Sequence, residues 1–229
     1  MKSDDPWRVP PDALDAPEGV DAWSVSLDRD EDDLRDCARM LDPDERARAG
    51  RFVQDRDRRR WTIARGMLRG ILSRYTRLAP EELIFEVDSN GKPSLRGTRI
   101  SFNLSHSAEM CLVAVAGGRP VGIDVEQIRA EIDPLKIAGR YFSAREHASL
   151  TALPPALAPA AFFTCWTRKE AVVKALGTGL SMPAESLEVG WDPETPVPGL
   201  TLRTLPVGPG YAATVAAAGP LDPFRLWRP

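Results

Sequence analysis

The sequence predicts an α+β protein made of two similar lobes. Three observations carry that expectation. The chain has 229 residues, 43% of them hydrophobic and 28% charged, an ordinary globular balance with enough material for a sizeable core. Alternating apolar runs, which read as strands, are interspersed with runs at three-to-four spacing, which read as helices. Both halves also present these in one order: a strand, then helices, then several strands. No repeat joins the halves letter by letter, so the likeness rests on the order of elements alone. The expected organisation is a loose arm over 1–20, an N-terminal lobe over 21–118 and a C-terminal lobe over 119–229.

The arm is expected to be loose because residues 1–20 hold four prolines and several acids. Trp23 to Leu27 alternates and reads as a strand. Asp42-Pro43-Asp44-Glu45 supplies an N-cap, a first-turn proline and a capping-box acid, so a helix is expected from there to about Asp55. A second helix is expected to about Leu78, with Trp61, Ala64, Leu68, Ile71, Leu72 and Tyr75 on one face. Strands follow at Leu83–Val87, Ile100–Leu104, Met110–Ala116 and Val121–Glu126, with a tight turn at Asn90-Gly91. Ser143-x-x-Glu146 is another capping box and opens a helix to about Leu153. A further helix is expected over Ala161–Leu176, closed by Gly177, and strand-like pieces follow near Leu187–Trp191, Leu200–Leu205 and Tyr211–Ala216.

A net charge of −3 and a pI near 5.6 argue against a bulk nucleic-acid coat. The average hides an asymmetry. Residues 1–45 carry fifteen acids against five bases, and 46–77 carry eleven arginines against Asp55 and Asp57. So dense a basic block is a candidate to meet phosphates, although a solvated helix face shows the same pattern. The three cysteines are far apart and the histidines number two, which disfavours a zinc site. The acidic start carries no secretory signal, and no apolar run approaches membrane-spanning length. A cytoplasmic protein is expected.

Chemistry concentrates in a few places. In the strand Val121-Gly122-Ile123-Asp124-Val125-Glu126, the two acids share a face with Cβ atoms about 7 Å apart, close enough to converge on one ion. Oxygen ligands suit Mg²⁺, whereas an amphipathic strand with a solvated acidic face looks the same. On the helix containing Trp166-Thr167-Arg168-Lys169-Glu170, Glu170 lies within about 40° of Trp166 and about 20° of Phe163 on the helical wheel. An acid on that inward stripe needs a metal or a cation, and Lys174 one turn on is the simplest partner. Ser101-Phe102-Asn103-Leu104-Ser105-His106-Ser107 offers hydroxyls and a histidine to phosphate oxygens. Ser105 lacks the glycine-flanked elbow of a hydrolase nucleophile. Lys92 is fixed at the edge of the Asn90-Gly91-Lys92-Pro93 turn, and Arg58-Arg59-Arg60 and Arg65 flank the apolar stripe of the second helix.

Taken in order, Gly91-Lys92-Pro93, Phe102-Asn103-Leu104-Ser105-His106-Ser107, Gly122-Ile123-Asp124-Val125-Glu126 and Trp166-Thr167-Arg168-Lys169-Glu170-Ala171, with Lys174 and Gly177, resemble the Sfp-type 4′-phosphopantetheinyl transferases. Phe142-Ser143-x-x-Glu146 falls where that family has such a segment. The blocks span about 91–177, and the last fifty residues carry no signature. The resemblance implies two α+β lobes forming a pseudodimer with the active site in the cleft between them. It implies transfer of the phosphopantetheine arm of coenzyme A to a serine of an apo acyl or peptidyl carrier protein, with release of adenosine 3′,5′-bisphosphate. Such carriers serve polyketide, nonribosomal-peptide and fatty-acid synthesis.

By the same resemblance, Asp124, Glu126 and Glu170 match Mg²⁺ ligands, and Glu170 and Lys174 match catalytic groups. Lys92, Pro93, Ser105, His106 and Lys169 match coenzyme A contacts, with Arg60 and Arg65 carried over on a looser register. A monomer acting without nucleic acid or membrane is implied. Two other classes use the same residues: a Mg²⁺-dependent phosphohydrolase of nucleotide-like substrates, and a non-enzymatic binder gripping nucleic acid or an acidic carrier helix through the arginines.

Overall fold

In the computed structural model, the described residues are 5–179, 184–192 and 196–229. The N-terminal lobe contains β1 (Val20–Ser26), α1 (Glu31–Met40), α2 (Pro43–Ala49), α3 (Asp55–Thr76), a short hairpin of β2 (Phe85–Val87) and β3 (Pro93–Leu95), then β4 (Ile100–Ser107) and β5 (Met110–Gly117). The C-terminal lobe contains β6 (Val121–Gln127), α4 (Pro134–Tyr141), α5 (Ala144–Thr151), α6 (Ala158–Leu176), β7 (Leu200–Thr204) and β8 (Tyr211–Ala218). The last strand, β9 (Phe224–Trp227), returns to the first lobe. The sheets run β4-β5-β1-β9 and β6-β8-β7, antiparallel except for β1 with β9.

Three apolar layers follow from strand alternation. In β5, Cys111, Val113 and Val115 pack toward α3, while Leu112, Ala114 and Ala116 face the second lobe. Both sets are buried, which is why β5 reads as a continuous apolar run. Val121, Ile123 and Val125 of β6 meet that second set, so the two sheets pack face to face between the lobes. The other face of β6 lies under α6. A Cβ at Gly122 would sit 2.1 Å from the Ala171 carbonyl oxygen, so only glycine lets helix and strand approach this closely.

Several elements differ from the sequence expectation, each for a local reason. Helix α1 was not expected: its acidic first turn, capped by Asp30, buries only Leu34 and Cys37 and reads as a charge run. Helix α2 keeps its capping box but stops at Ala49, well short of Asp55, with Gly50 as C-cap. Leu187–Val189 form no strand, because side chains hold their backbone instead. Glu146 accepts from the Val189 and Gly190 amides, and Arg168 and Lys169 donate to the Val189 and Leu187 carbonyls.

The described part of the arm is packed rather than loose. Trp7 and Leu14 are buried, the Trp7 indole donates to the Pro206 carbonyl, and the Leu14 amide donates to Arg74. Strand β9, expected with the second lobe, is locked to the first. Arg225 grips the fully buried Asp21 with two hydrogen bonds of 2.6 and 2.8 Å. Tyr75 donates to the same carboxylate at 2.6 Å while accepting from Trp23.

Candidate active site

The acidic face of β6, the buried side of α6 and the edge of β4 meet at one point. Asp124 is buried at 3% exposure. Its Oδ1 accepts from Ser105 Oγ at 2.7 Å and from Lys174 Nζ at 2.6 Å, and Lys174 also donates to Ser105 at 3.0 Å. Its Oδ2 has no partner, an orphaned buried acceptor of the kind that costs stability unless a cation meets it. Glu126, half-buried, accepts from Ser107 at 2.8 Å. Burial pushes the carboxyls of Asp124, Glu126 and Glu170 above their ordinary range. The negative charge of Asp124 adds to the rise at Glu126 and Glu170, while Lys174 opposes it at all three. Three converging acids thus share one neighbouring lysine.

A divalent cation suits this chemistry: hard oxygen donors, excess negative charge and an orphaned Oδ2. Among the described residues, no three acidic, histidine or cysteine groups are yet gathered tightly enough to hold an ion. The Lys174 ammonium occupies the neighbourhood of Asp124 instead.

Glu170 and Lys174 line one cavity, and a second shares Gly91, Pro93 and Asn103 with it. The first, about 630 Å³, runs past Tyr141, Trp166, Glu170 and Lys174. The other, about 530 Å³, is lined by Arg48, Trp61, Arg65, Phe85, Phe102 and His106. Arg65 lies over the Phe85 ring, 3.9 Å from its centre, and pairs with Glu45. His106 is exposed at the edge of this cavity, and partial desolvation, with Lys174 and Arg60 nearby, holds its imidazole below its usual pKa.

Lys92 and Pro93 also stand in the wall of the first cavity, whereas other expected contacts are engaged away from it. The Lys92 ammonium reaches across to the C-terminal lobe and donates to the carbonyls of Lys174 (2.6 Å), Ala175 (3.0 Å) and Val121 (3.3 Å). In this arrangement its three protons are directed to the C-terminal end of α6 and the start of β6. Asn90 reinforces this by donating to the Gly177 carbonyl at 2.8 Å. Lys169 is buried inside the C-terminal lobe, paired at 2.7 Å with Glu146, and lines neither cavity. Arg60 is clamped by both oxygens of Asp28 and lines a separate hollow with Arg56 and Arg59.

Part of the arginine block is paired with the acidic segment before it. Arg59 pairs with Glu31, Arg60 with Asp28, Arg65 with Glu45, and the fully buried Arg69 with Asp42 and Glu45. Two residues that the sequence reading places only within their segment contribute to the site individually. Asn103 and Ser107 stand on the same face of β4 as Ser105, and period-two spacing alone would have grouped them.

Each lobe is matched by its own family model. One described as the 4′-phosphopantetheinyl transferase superfamily covers 120–207, and one described as 4′-phosphopantetheinyl transferase, N-terminal, covers 23–117. The chain is 39% identical over 220 residues to the 4′-phosphopantetheinyl transferase HetI of Nostoc sp., covering 92% of each protein. It is 30% identical over 191 residues to the transferase Sfp of Bacillus subtilis, covering 79% of this chain and 84% of that one. To psf-1 of Bacillus pumilus it is 42% identical over 139 residues, 60% and 58% of the two chains. Two α+β lobes meeting at a carboxylate-rich cleft, each with its own match, define a transferase. The chain belongs to the Sfp-type 4′-phosphopantetheinyl transferases. No described helix is long and apolar enough to cross a membrane.

Proposed function

We propose that this chain moves the 4′-phosphopantetheine arm of coenzyme A onto a serine hydroxyl of an apo acyl or peptidyl carrier protein, with Asp124, Glu126 and Glu170 holding Mg²⁺. The observation that carries the reading is the acid–lysine cluster, whose Glu170 and Lys174 stand in the wall of a cavity that shares Gly91, Pro93 and Asn103 with a second one. The cavity with aromatic walls suits the nucleotide end of coenzyme A, with His106 at a phosphate. The cavity past Trp166 suits the arm and the incoming serine.

The reaction forms a bond from serine oxygen to the phosphorus bearing the arm. It breaks the bond from that phosphorus to the bridging oxygen, which leaves with adenosine 3′,5′-bisphosphate. Glu170, whose carboxylate is made more basic than usual by burial, takes the serine proton directly or through a water, help worth about 10²–10⁴-fold. Lys174 offsets charge on the leaving phosphate and orients Asp124 through their 2.6 Å contact. Bound Mg²⁺ would neutralise charge on the pyrophosphate. The pairing of Arg59, Arg60, Arg65 and Arg69 with nearby acids leaves a weaker basic patch than the sequence suggests, which supports a protein acceptor over nucleic acid.

Intact-mass analysis tests the reading. Apo carriers incubated with the protein, Mg²⁺ and coenzyme A are expected to gain the mass of one phosphopantetheine arm, and omission of Mg²⁺ is expected to prevent it. Bisphosphate release from coenzyme A without any carrier would favour the phosphohydrolase instead.

A further inference from the structure

The two sheets do not merely stack; their edges are also joined. Strand β4 ends the first sheet and β6 ends the second. Three alternate side chains of β4 reach three alternate amides of β6. Asn103 Oδ1 accepts from Ile123 at 2.9 Å, Ser105 Oγ from Val125 at 3.5 Å and Ser107 Oγ from Gln127 at 3.1 Å. Side chains thus stand where backbone carbonyls would stand in a continuous sheet, and the edge of β6 is satisfied without fusing the lobes.

This ladder has a chemical consequence at Ser107. A serine hydroxyl owns one proton. The Gln127 amide fills a lone pair of Ser107 Oγ, so the hydroxyl proton is directed to Glu126 Oε2, 2.8 Å away. Ser105 does the same for Asp124, but there Lys174 shares the work, whereas Ser107 acts on Glu126 without a cation between them. We propose that Ser107 is a positioning residue for the transfer reaction. Tied to the β6 backbone, it pins one oxygen of Glu126 and leaves the other as the oxygen that meets the divalent cation. The inference rests on the assignment of Glu126 as a metal ligand.

The test is Mn²⁺ binding, read by electron paramagnetic resonance on the full chain with coenzyme A present and carrier absent, so that no turnover intervenes. Ser107→Ala is expected to weaken Mn²⁺ affinity about tenfold, the lower end for loss of a group that orients a ligand. Ser107→Thr keeps the hydroxyl and is expected to bind like the unaltered chain. In a Glu126→Gln background, Ser107→Ala is expected to add no further loss. An unchanged affinity in Ser107→Ala would overturn the proposal. So would a loss that persists undiminished beside Glu126→Gln, because the serine would then act only by holding β6. An unaltered chain that takes up no Mn²⁺ would remove the metal assignment itself, and this inference with it.

Discussion

Replacing Lys174 by methionine should unbalance the cleft in a way that stability measurements can read. The ammonium lies 2.6 Å from Asp124 Oδ1, and the two side chains are 27% and 4% exposed. Breaking a buried ion pair by removing one partner costs about 3–5 kcal/mol, because the surviving charge stays buried. The partial exposure of Lys174 places the expected cost at the low end, about 3 kcal/mol. For a chain of this length, about 2–4 °C accompanies each kcal/mol, so metal-free Lys174→Met should melt about 6–12 °C lower at neutral pH.

The pH dependence has a definite sign. Asp124, Glu126 and Glu170 already have folded pKa values above their unfolded ones, and loss of Lys174 raises them further. The folded state then binds protons more readily, so the deficit shrinks on acidification and grows as pH rises through the raised values. Mg²⁺ should restore more stability to the variant than to the unaltered chain, since it replaces the missing positive charge. Calorimetric melting over a pH series, with and without Mg²⁺, gives every term. A metal-free variant melting within about 2 °C of the unaltered chain at neutral pH would refute the argument that Lys174 compensates these acids.

Glu170→Gln removes a carboxyl that burial and Asp124 both disfavour. It should raise the melting temperature of the metal-free protein while lowering transfer at least about 10²-fold in the intact-mass assay. Lys92→Met uncaps α6 and should cost about 2 kcal/mol in denaturant unfolding, with the KM for coenzyme A changed by less than about twofold. A large rise in that KM without loss of stability would return Lys92 to the phosphates. Tyr75→Phe takes one hydrogen bond from Asp21 and strands the Trp23 indole, so about 1–3 kcal/mol should disappear in the same unfolding measurement.

Much of the fold was legible because the signals were local. Strands β1, β4, β5 and β6 declared themselves by alternation or apolar runs, α3 and α6 by their stripes, and α2 and α5 by capping boxes. The shared face of Asp124 and Glu126 and the inward stance of Glu170 followed from periodicity. What stayed hidden depends on partners far away in sequence. Lys92 and Lys169 look like free cations until α6 and Glu146 are in place around them. The arginine block looks like a basic patch until α1 and α2 fold their acids against it. Helix α4 was missed although Asp133-Pro134 is an N-cap followed by a first-turn proline, a signal present but passed over.

The return of β9 to the first sheet makes synthesis order matter. A ribosome releases β1 early, yet its parallel neighbour comes from residues 224–227, and until then one edge of that sheet is open. Asp21 meanwhile waits for Arg225, a buried carboxylate without its main cation for as long as the second lobe is being made. The lobe synthesised first is therefore the lobe completed last, and a nascent chain exposes an unpaired strand edge to other chains during that interval. The same closure brings Arg8 beside Trp227 and Asp5 beside Arg228. An affinity tag fused after Pro229 would thus emerge next to the first strands rather than at the cleft. A short linker from residue 229 back to residue 5 would suit a circular permutant opened between the lobes at Gly117-Gly118.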